Sequence, residues 1–225
     1  MLLSTGIQGL DKLLGGGIPR KYVVGVIGGY GTGKTTLSLH FIHEGVKNGE
    51  RCVFISFEED EESILETAES FGMNLRKENV KIIRLEAEMV KESFEKIENE
   101  IRRIFESFGV ERVVIDNVSV LETLYSDRER YRALSTFKKI VKDVGATAII
   151  TSECDKTNPL HSKYGILEYV SDGLIVLRMT RSAEFEEVIL IVEVLKMRRM
   201  NHSRRPRPYA ISERGMEVFE EAEIV

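Results

Sequence analysis

Gly28-Gly29-Tyr30-Gly31-Thr32-Gly33-Lys34-Thr35 is the stretch on which the fold turns. It satisfies G-x-x-x-x-G-K-S/T without a gap. An apolar run, Tyr22 to Ile27, precedes it, and the segment after it carries Leu37, Phe41, Ile42 and Val46 on one helical face before stopping at Asn48-Gly49. Strand, glycine-rich turn and helix in that order make a phosphate-binding loop. The backbone N–H groups of Gly28, Gly29, Tyr30, Gly31, Thr32 and Gly33 can converge on phosphate oxygens. The helix N-terminus adds the positive end of its dipole, and Lys34 adds a point charge. Thr35 offers a hydroxyl to magnesium, and Thr36 closes the candidate nucleotide set, Gly28 to Thr36. The alternatives are a purely structural glycine turn and a dinucleotide fingerprint. The second fails because Lys34 stands where the last glycine after Gly29 and Gly31 is required.

Working outward, strand-like runs alternate with segments of helical period, the pattern of a mainly parallel sheet flanked by helices. Cys52 to Phe57 reads as a strand. Asp60 can cap a helix bearing Ile64, Leu65, Ala68 and Phe71 that ends at Gly72, and Val80 to Leu85 follows as a strand. Val90 through Phe108 reads as one long helix ended by Gly109, before the strand Arg112 to Asp116. A further helix places Tyr131, Leu134, Phe137, Ile140, Val141 and Val144 together and leads into the strand Thr147 to Thr151. Leu174 to Met179 and Val188 to Met197 lack a helix-length spacer and are expected to pair antiparallel, with a last hairpin from Tyr209 to Ile211 and Met216 to Phe219.

The 225 residues are 42% hydrophobic and 31% charged, with a net charge of -5, which suits a single domain over 1–225. No run approaches the roughly 20 apolar residues that span a bilayer, and no charged-then-apolar leader opens the chain, so a soluble, cytoplasmic protein without a membrane partner is expected. Cys52 and Cys154 have no second ligand at metal spacing, which argues against a structural zinc.

Val113-Val114-Ile115-Asp116 fits the second nucleotide motif, in which an Asp at the end of a buried strand reaches magnesium. Standing alone, such an Asp as readily starts a turn; beside the phosphate loop, the metal reading with Thr35 takes precedence.

Ser4-Thr5-Gly6-Ile7, Gly9-Leu10-Asp11, Leu14-Gly15-Gly16-Gly17-Ile18-Pro19, the phosphate loop, Phe57-Glu58-Glu59, Tyr169-Val170-Ser171-Asp172-Gly173 and Leu195-Lys196-Met197-Arg198 together resemble a KaiC domain, a branch of the RecA/RadA group of P-loop ATPases. The resemblance runs through nearly the whole chain. It implies a RecA-like α/β fold, ATP rather than another nucleotide, Mg2+, and slow hydrolysis. It also implies that Glu58, with Glu59, polarises the attacking water. A carboxylate at a strand's end is rigidly placed for that work, whereas Asp60 to Glu62 read better as acids favouring a helix N-terminus. It implies that Lys196 and Arg198, two apart on a strand and so on one face, reach the nucleotide of a neighbouring subunit in a ring or filament, a hexamer foremost. A solvated basic strand end is the plainer alternative for that pair. His202 stands where the family often has a nucleotide-contacting His. Ser152 and Glu153 end the strand beside the loop, but their chemistry does not demand a role, and they stay outside the set.

The chain also departs from the family. Clock KaiC proteins carry two such domains, and Glu168-Tyr169 replaces the Ser-Thr pair that accepts phosphate in their second one, so self-phosphorylation there is not expected. With only a short segment before the phosphate loop, the N-terminal DNA-binding domain of RadA recombinases, and with it a complete recombinase, is not expected. Two further functions remain open. One is a RadA-paralogue-like accessory that binds single-stranded DNA through the basic stretch Lys196 to Arg207, with Tyr209 as a stacking ring, set against the chain's acidic balance. The other is a nucleotide-gated scaffold for a protein client.

Overall fold

A computed structural model of the chain describes residues 1–181 and 188–224. The first half runs β1 (Leu2–Leu3), α1 (Gln8–Leu13), β2 (Ile18–Pro19), β3 (Val23–Gly28), α2 (Lys34–Lys47), β4 (Cys52–Ser56), α3 (Glu61–Ser70), β5 (Val80–Arg84), α4 (Ala87–Glu92) and α5 (Phe94–Phe108). The second runs β6 (Arg112–Asp116), α6 (Val118–Thr123), α7 (Asp127–Asp143), β7 (Thr147–Ser152), α8 (Leu167–Val170), β8 (Gly173–Arg181), β9 (Val188–Met197), β10 (Arg207–Ser212) and β11 (Gly215–Val218).

Nine strands form one sheet in the order β11-β10-β9-β8-β3-β7-β6-β4-β5. From β8 to β5 all pairings are parallel, and β9, β10 and β11 extend the sheet antiparallel. The expected mainly parallel sheet with an antiparallel C-terminal ribbon is therefore present. The connection between β8 and β9 lies outside the described residues.

The central strands β3, β4, β6 and β7 are buried along their whole length because helices cover both faces. On one face Leu37, Phe41, Ile42, Ile64 and Leu65 pack with Leu10, Tyr209 and Met216; on the other Ile101, Phe105, Leu134, Phe137 and Ile140 pack against Val113, Ile115 and Ile150.

Local signals explain most boundaries. Asp60 accepts a hydrogen bond from Ser63 N at 2.9 Å and caps α3. Ser126 and Glu129 form a reciprocal capping box at the start of α7. The helix expected from Val90 to Phe108 is two helices, interrupted at Ser93, whose φ of -130° leaves the helical region. Its apolar spacing stays continuous across the break, so periodicity alone could not reveal it. Tyr131, expected on the buried face of α7, is 57% exposed. The short elements α1, α6 and α8 carry too few turns for a periodic signal, and tertiary packing makes them.

Candidate functional site

The carboxyl ends of β3, β4, β6 and β7 lie side by side, since Ile27 pairs with Ser152 and Ser56 with Asp116. Open parallel sheets bind their ligands at this end. Here a cavity of about 300 Å³ is lined by Tyr30, Gly31, Gly33, Lys34, Thr35, Glu58, Asp116, Asn117 and Glu153. The phosphate loop, the strand-end acid of β4 and the strand-end Asp of β6 therefore converge on one space. Thr32 and Thr36 are buried and do not line it. Thr32 donates instead to the Gly29 carbonyl at 2.8 Å and holds the loop's curl.

Two glycines are required by contact. A Cβ on Gly28 would sit 2.4 Å from the Thr32 hydroxyl. Gly33 has a φ of +78°, and a Cβ there would sit 2.5 Å from Ile211. The Ile211 contact shows how the C-terminal hairpin braces the loop. The buried Tyr209 hydroxyl donates to the Thr32 carbonyl at 2.5 Å, and Met216 N donates to His40 Nε2 on α2 at 2.9 Å. Burial drives the His40 pKa down to about 4, which keeps its ring nitrogen free to accept.

Lys34 donates to the carbonyls of Gly28 and Gly29, both at 2.9 Å, so its ammonium is held over the loop. Burial lowers its pKa, and Asp116, Glu153 and Glu58 oppose the shift. The Thr35 hydroxyl donates to one Asp116 oxygen at 2.7 Å, and the Thr151 hydroxyl donates to the other. This all-oxygen pair suits a hard, partly hydrated cation such as Mg2+.

Glu58 is fixed by its backbone. Ser56 Oγ accepts from Glu58 N at 3.2 Å and from Glu59 N at 2.9 Å, a turn that the sequence motif did not reveal. Although its side chain reaches solvent, the surrounding walls withdraw enough water to raise the Glu58 pKa. Asp116 and Glu153 raise it further, against an Asn117 hydrogen bond and Lys34. Glu59 is raised in the same way, by burial first and Asp116 second, but does not line the cavity. Asn117 and Glu153 do line it, and the residue motifs did not select them; Glu153 is tied back to Lys163 at 2.6 Å.

Lys196 and Arg198 lie elsewhere. Gly28 pairs with Leu177, whereas Lys196 pairs with Leu174 and Met197 with Gly173 near the start of β3. Roughly 13 Å of strand therefore separates them from their own phosphate loop. β9 ends at Met197, so Arg198 lies just past the strand rather than on it with Lys196; Lys196 Nζ donates to the Glu168 and Ser171 carbonyls at 2.7 Å each, and Arg198 Nη1 lies 3.9 Å from Asp172. Lys196 thereby caps the C-terminal end of α8, a tertiary contact with no local signal. His202 Nδ1 contacts the neighbouring Ser203 carbonyl at 2.9 Å. Glu168 is occupied in holding Ser162, whose hydroxyl donates to it at 2.7 Å.

A larger open cavity of about 540 Å³ beside the α4–α5 break is lined by Glu92, Glu95 and Glu129 with Lys91, Lys96 and Arg132, has no glycine turn, and shares no lining residue with the phosphate cavity.

A strand-loop-helix phosphate cradle at the carboxyl end of a mainly parallel sheet, with antiparallel strands appended, defines a RecA-like P-loop fold. A model of the KaiC ATPase family matches residues 3–223, and the chain belongs to that family. It is 33% identical to the circadian clock oscillator protein KaiC of Parasynechococcus marenigrum (strain WH8102), over 96% of this chain and 44% of that one. It is 34% identical to the KaiC of Prochlorococcus marinus (strain MIT 9313), over 96% of this chain and 46% of that one. The chain thus spans somewhat under half the length of these curated relatives. The crystal structure of a KaiC-like protein from the hyperthermophilic archaeon Pyrococcus horikoshii OT3 superimposes with a TM-score of 0.85 at 29% identity, covering 97% of this chain and 99% of that one.

Proposed function

We propose that the 225 residues act as one Mg2+-dependent, slowly hydrolysing ATPase unit whose active site is completed between copies in a ring or filament. The observation that carries this reading is the separation just described. Lys34, Thr35, Asp116 and Glu58 share one cavity at the carboxyl end of the parallel strands, while Lys196, on β9, and Arg198, just past it, sit at the opposite end of the same sheet.

The loop amides and Lys34 bind the β- and γ-phosphates of ATP, and Thr35 and Asp116 hold the cation. Mg2+ held by Thr35 and Asp116 would supply positive charge that offsets the charge developing on the phosphates. Glu58 accepts a hydrogen bond from the attacking water, orients it in line with the γ-phosphorus and takes its proton; the raised pKa makes it a better base than a free carboxylate. Asn117 orients Glu58. Lys196 and Arg198 of one copy stabilise transition-state charge on the ATP of the next. The basic stretch offers less to DNA than its composition promises, since Arg207 donates to the Ala222 carbonyl at 2.7 Å and Arg205 lies 3.8 Å from Glu223.

The test is ATP hydrolysis across a range of protein concentrations, with mass in solution followed in parallel. Specific activity is expected to climb with assembly, and Lys196→Ala or Arg198→Ala to lower it by about tenfold or more while ATP still binds. Concentration-independent activity with silent substitutions would overturn the intersubunit role.

A further inference from the structure

Beside Lys196, at the amino end of the parallel strands, a cavity of about 210 Å³ is lined by Tyr22, Lys138, Lys142, Asp172, Arg198 and Arg199. Four cations thus face one carboxylate. Asp172 is nearly buried and draws in Lys138 at 2.8 Å, Lys142 at 2.9 Å and Arg198 at 3.9 Å. It also accepts from Val23 N at 3.1 Å, which anchors it to the sheet. Tyr22 spends its hydroxyl on the Arg198 carbonyl at 2.6 Å and supplies a ring near the Lys142 ammonium. Arg199 is exposed on a turn with a φ of 59° and has no ion-pair partner among the described residues. The crowding of Lys196 is of the same origin: burial, Arg198 and Lys138 all lower its pKa. One carboxylate cannot neutralise this group, and the pocket is left with a strong positive field.

The opposite end of the strands carries the complement. Glu59, Asp60 and Glu61 are exposed and follow directly on Glu58, which lines the phosphate cavity, and none of them has an ion-pair partner among the described residues. Glu62, one residue further, is paired with Arg76. Asp60 caps α3 through Ser63 N and stays exposed.

We infer that the pocket of Lys138, Lys142, Arg198 and Arg199 around Asp172 is the seat for the acidic strip Glu59-Asp60-Glu61 of a second copy of this chain. This rests on the intersubunit reading above and deepens it. If Lys196 and Arg198 meet a neighbour's phosphates, the pocket that contains Arg198 meets the rim of the same cavity, where the strip lies. The contact is heterologous, one end of the strands against the other, so each copy uses both surfaces and the assembly propagates. Complementary charge brings the copies together and fixes which end meets which, and a like-charge contact rejects the wrong pairing. Lys138 and Lys142 are positioning residues here, since they orient Asp172 and Arg198 without reaching a nucleotide.

The experiment measures mass in solution with Mg2+ and ATP over a concentration series, for the parent chain, Arg199→Glu, Glu61→Lys and an equimolar mixture of the two variants. Both residues are exposed and neither lines the phosphate cavity, and circular dichroism checks that both variants fold. Each variant alone is expected to need about tenfold more protein to assemble, and more as salt is lowered, because like charges then meet unscreened. The mixture is expected to recover, because the Glu at 199 of one variant meets the Lys at 61 of the other. If the parent assembles and the variants do the same, or the mixture does no better than either alone, the seat is wrong while the intersubunit site stands. If the parent stays monomeric throughout, the intersubunit reading itself falls.

Discussion

At the carboxyl end of the parallel strands, Lys34, Thr35, Glu58 and Asp116 arrive from three neighbouring elements and point into one cavity; at the amino end, Lys138, Lys142, Lys196 and Arg198 crowd a single Asp172. The first group is nearly sufficient for its chemistry within one copy, because a phosphate loop needs only its own backbone amides and one lysine. The second is an unbalanced charge cluster with no ligand chemistry of its own. The contrast is between a cluster organised by its own backbone and a cluster of like charges gathered by one buried acid, at opposite ends of one sheet.

The sharpest way to break the comparison is at the first end. Lys34→Ala removes the ammonium that bonds the Gly28 and Gly29 carbonyls and faces the phosphates. It is expected to lower ATP turnover by about a thousandfold or more and to weaken nucleotide binding, measured by steady-state hydrolysis and by titration with a fluorescent ATP analogue. Retained turnover would mean that chemistry happens elsewhere. Glu58→Gln should cost hydrolysis roughly a hundredfold while nucleotide affinity holds, since a general base acts on the water and not on the phosphates. Equal loss of binding and turnover would instead assign Glu58 to the cradle.

A third measurement separates either end from the supports beneath them. Glu122, on α6, is 1% exposed, and neither carboxylate oxygen has a hydrogen-bond partner among the described residues. Burial pushes its pKa up to about 7; Arg130 and Lys163 oppose the shift and Glu168 adds to it. A carboxyl raised from 4.5 favours the folded state below pH 4.5, and that contribution is lost as pH climbs to about 7. Glu122→Gln should therefore gain roughly 3 kcal/mol over the parent at pH 8 and little at pH 4, measured by denaturant unfolding at both values. An equal effect at both would show that packing, not charge, dominates. The smallest expected effect is Tyr209→Phe, which leaves the Thr32 carbonyl without its donor and should cost about 1 kcal/mol of stability with a modest rise in the ATP KM.

The two ends were not equally legible. Gly28 to Thr35 could be read directly because the site is local: consecutive residues, one turn, one helix N-terminus. Asp116 needed its strand to be read first, since a strand-end carboxylate has meaning only beside its parallel neighbours, and Glu58 came only with the resemblance carried by Phe57-Glu58-Glu59. Asn117 escaped because nothing in its immediate sequence points at the cavity that β6 brings it to, and Glu153, recognised at the end of the strand beside the loop, was set aside because its local chemistry demands no role. The interruption at Ser93 escaped for a related reason, as the apolar period runs on through it. At the amino end the basic pair Lys196/Arg198 was visible, but its isolation from the phosphate loop was not.

Taken alone, the order of strand, glycine turn and helix, the acids ending β4 and β6, and the absence of a helical spacer between β8 and β9 determined the fold class and the phosphate cradle. Those features depend on backbone geometry and periodicity within a few residues. Only the tertiary structure decided that Tyr209 braces Thr32 across 177 positions, that Asp172 gathers Lys138, Lys142 and Arg198, and that Lys196 caps α8 at the end of the strands remote from its own nucleotide site. The reason is physical. Such contacts join residues distant in sequence, and their partners are chosen by strand order and register, which depend on how the whole apolar core packs.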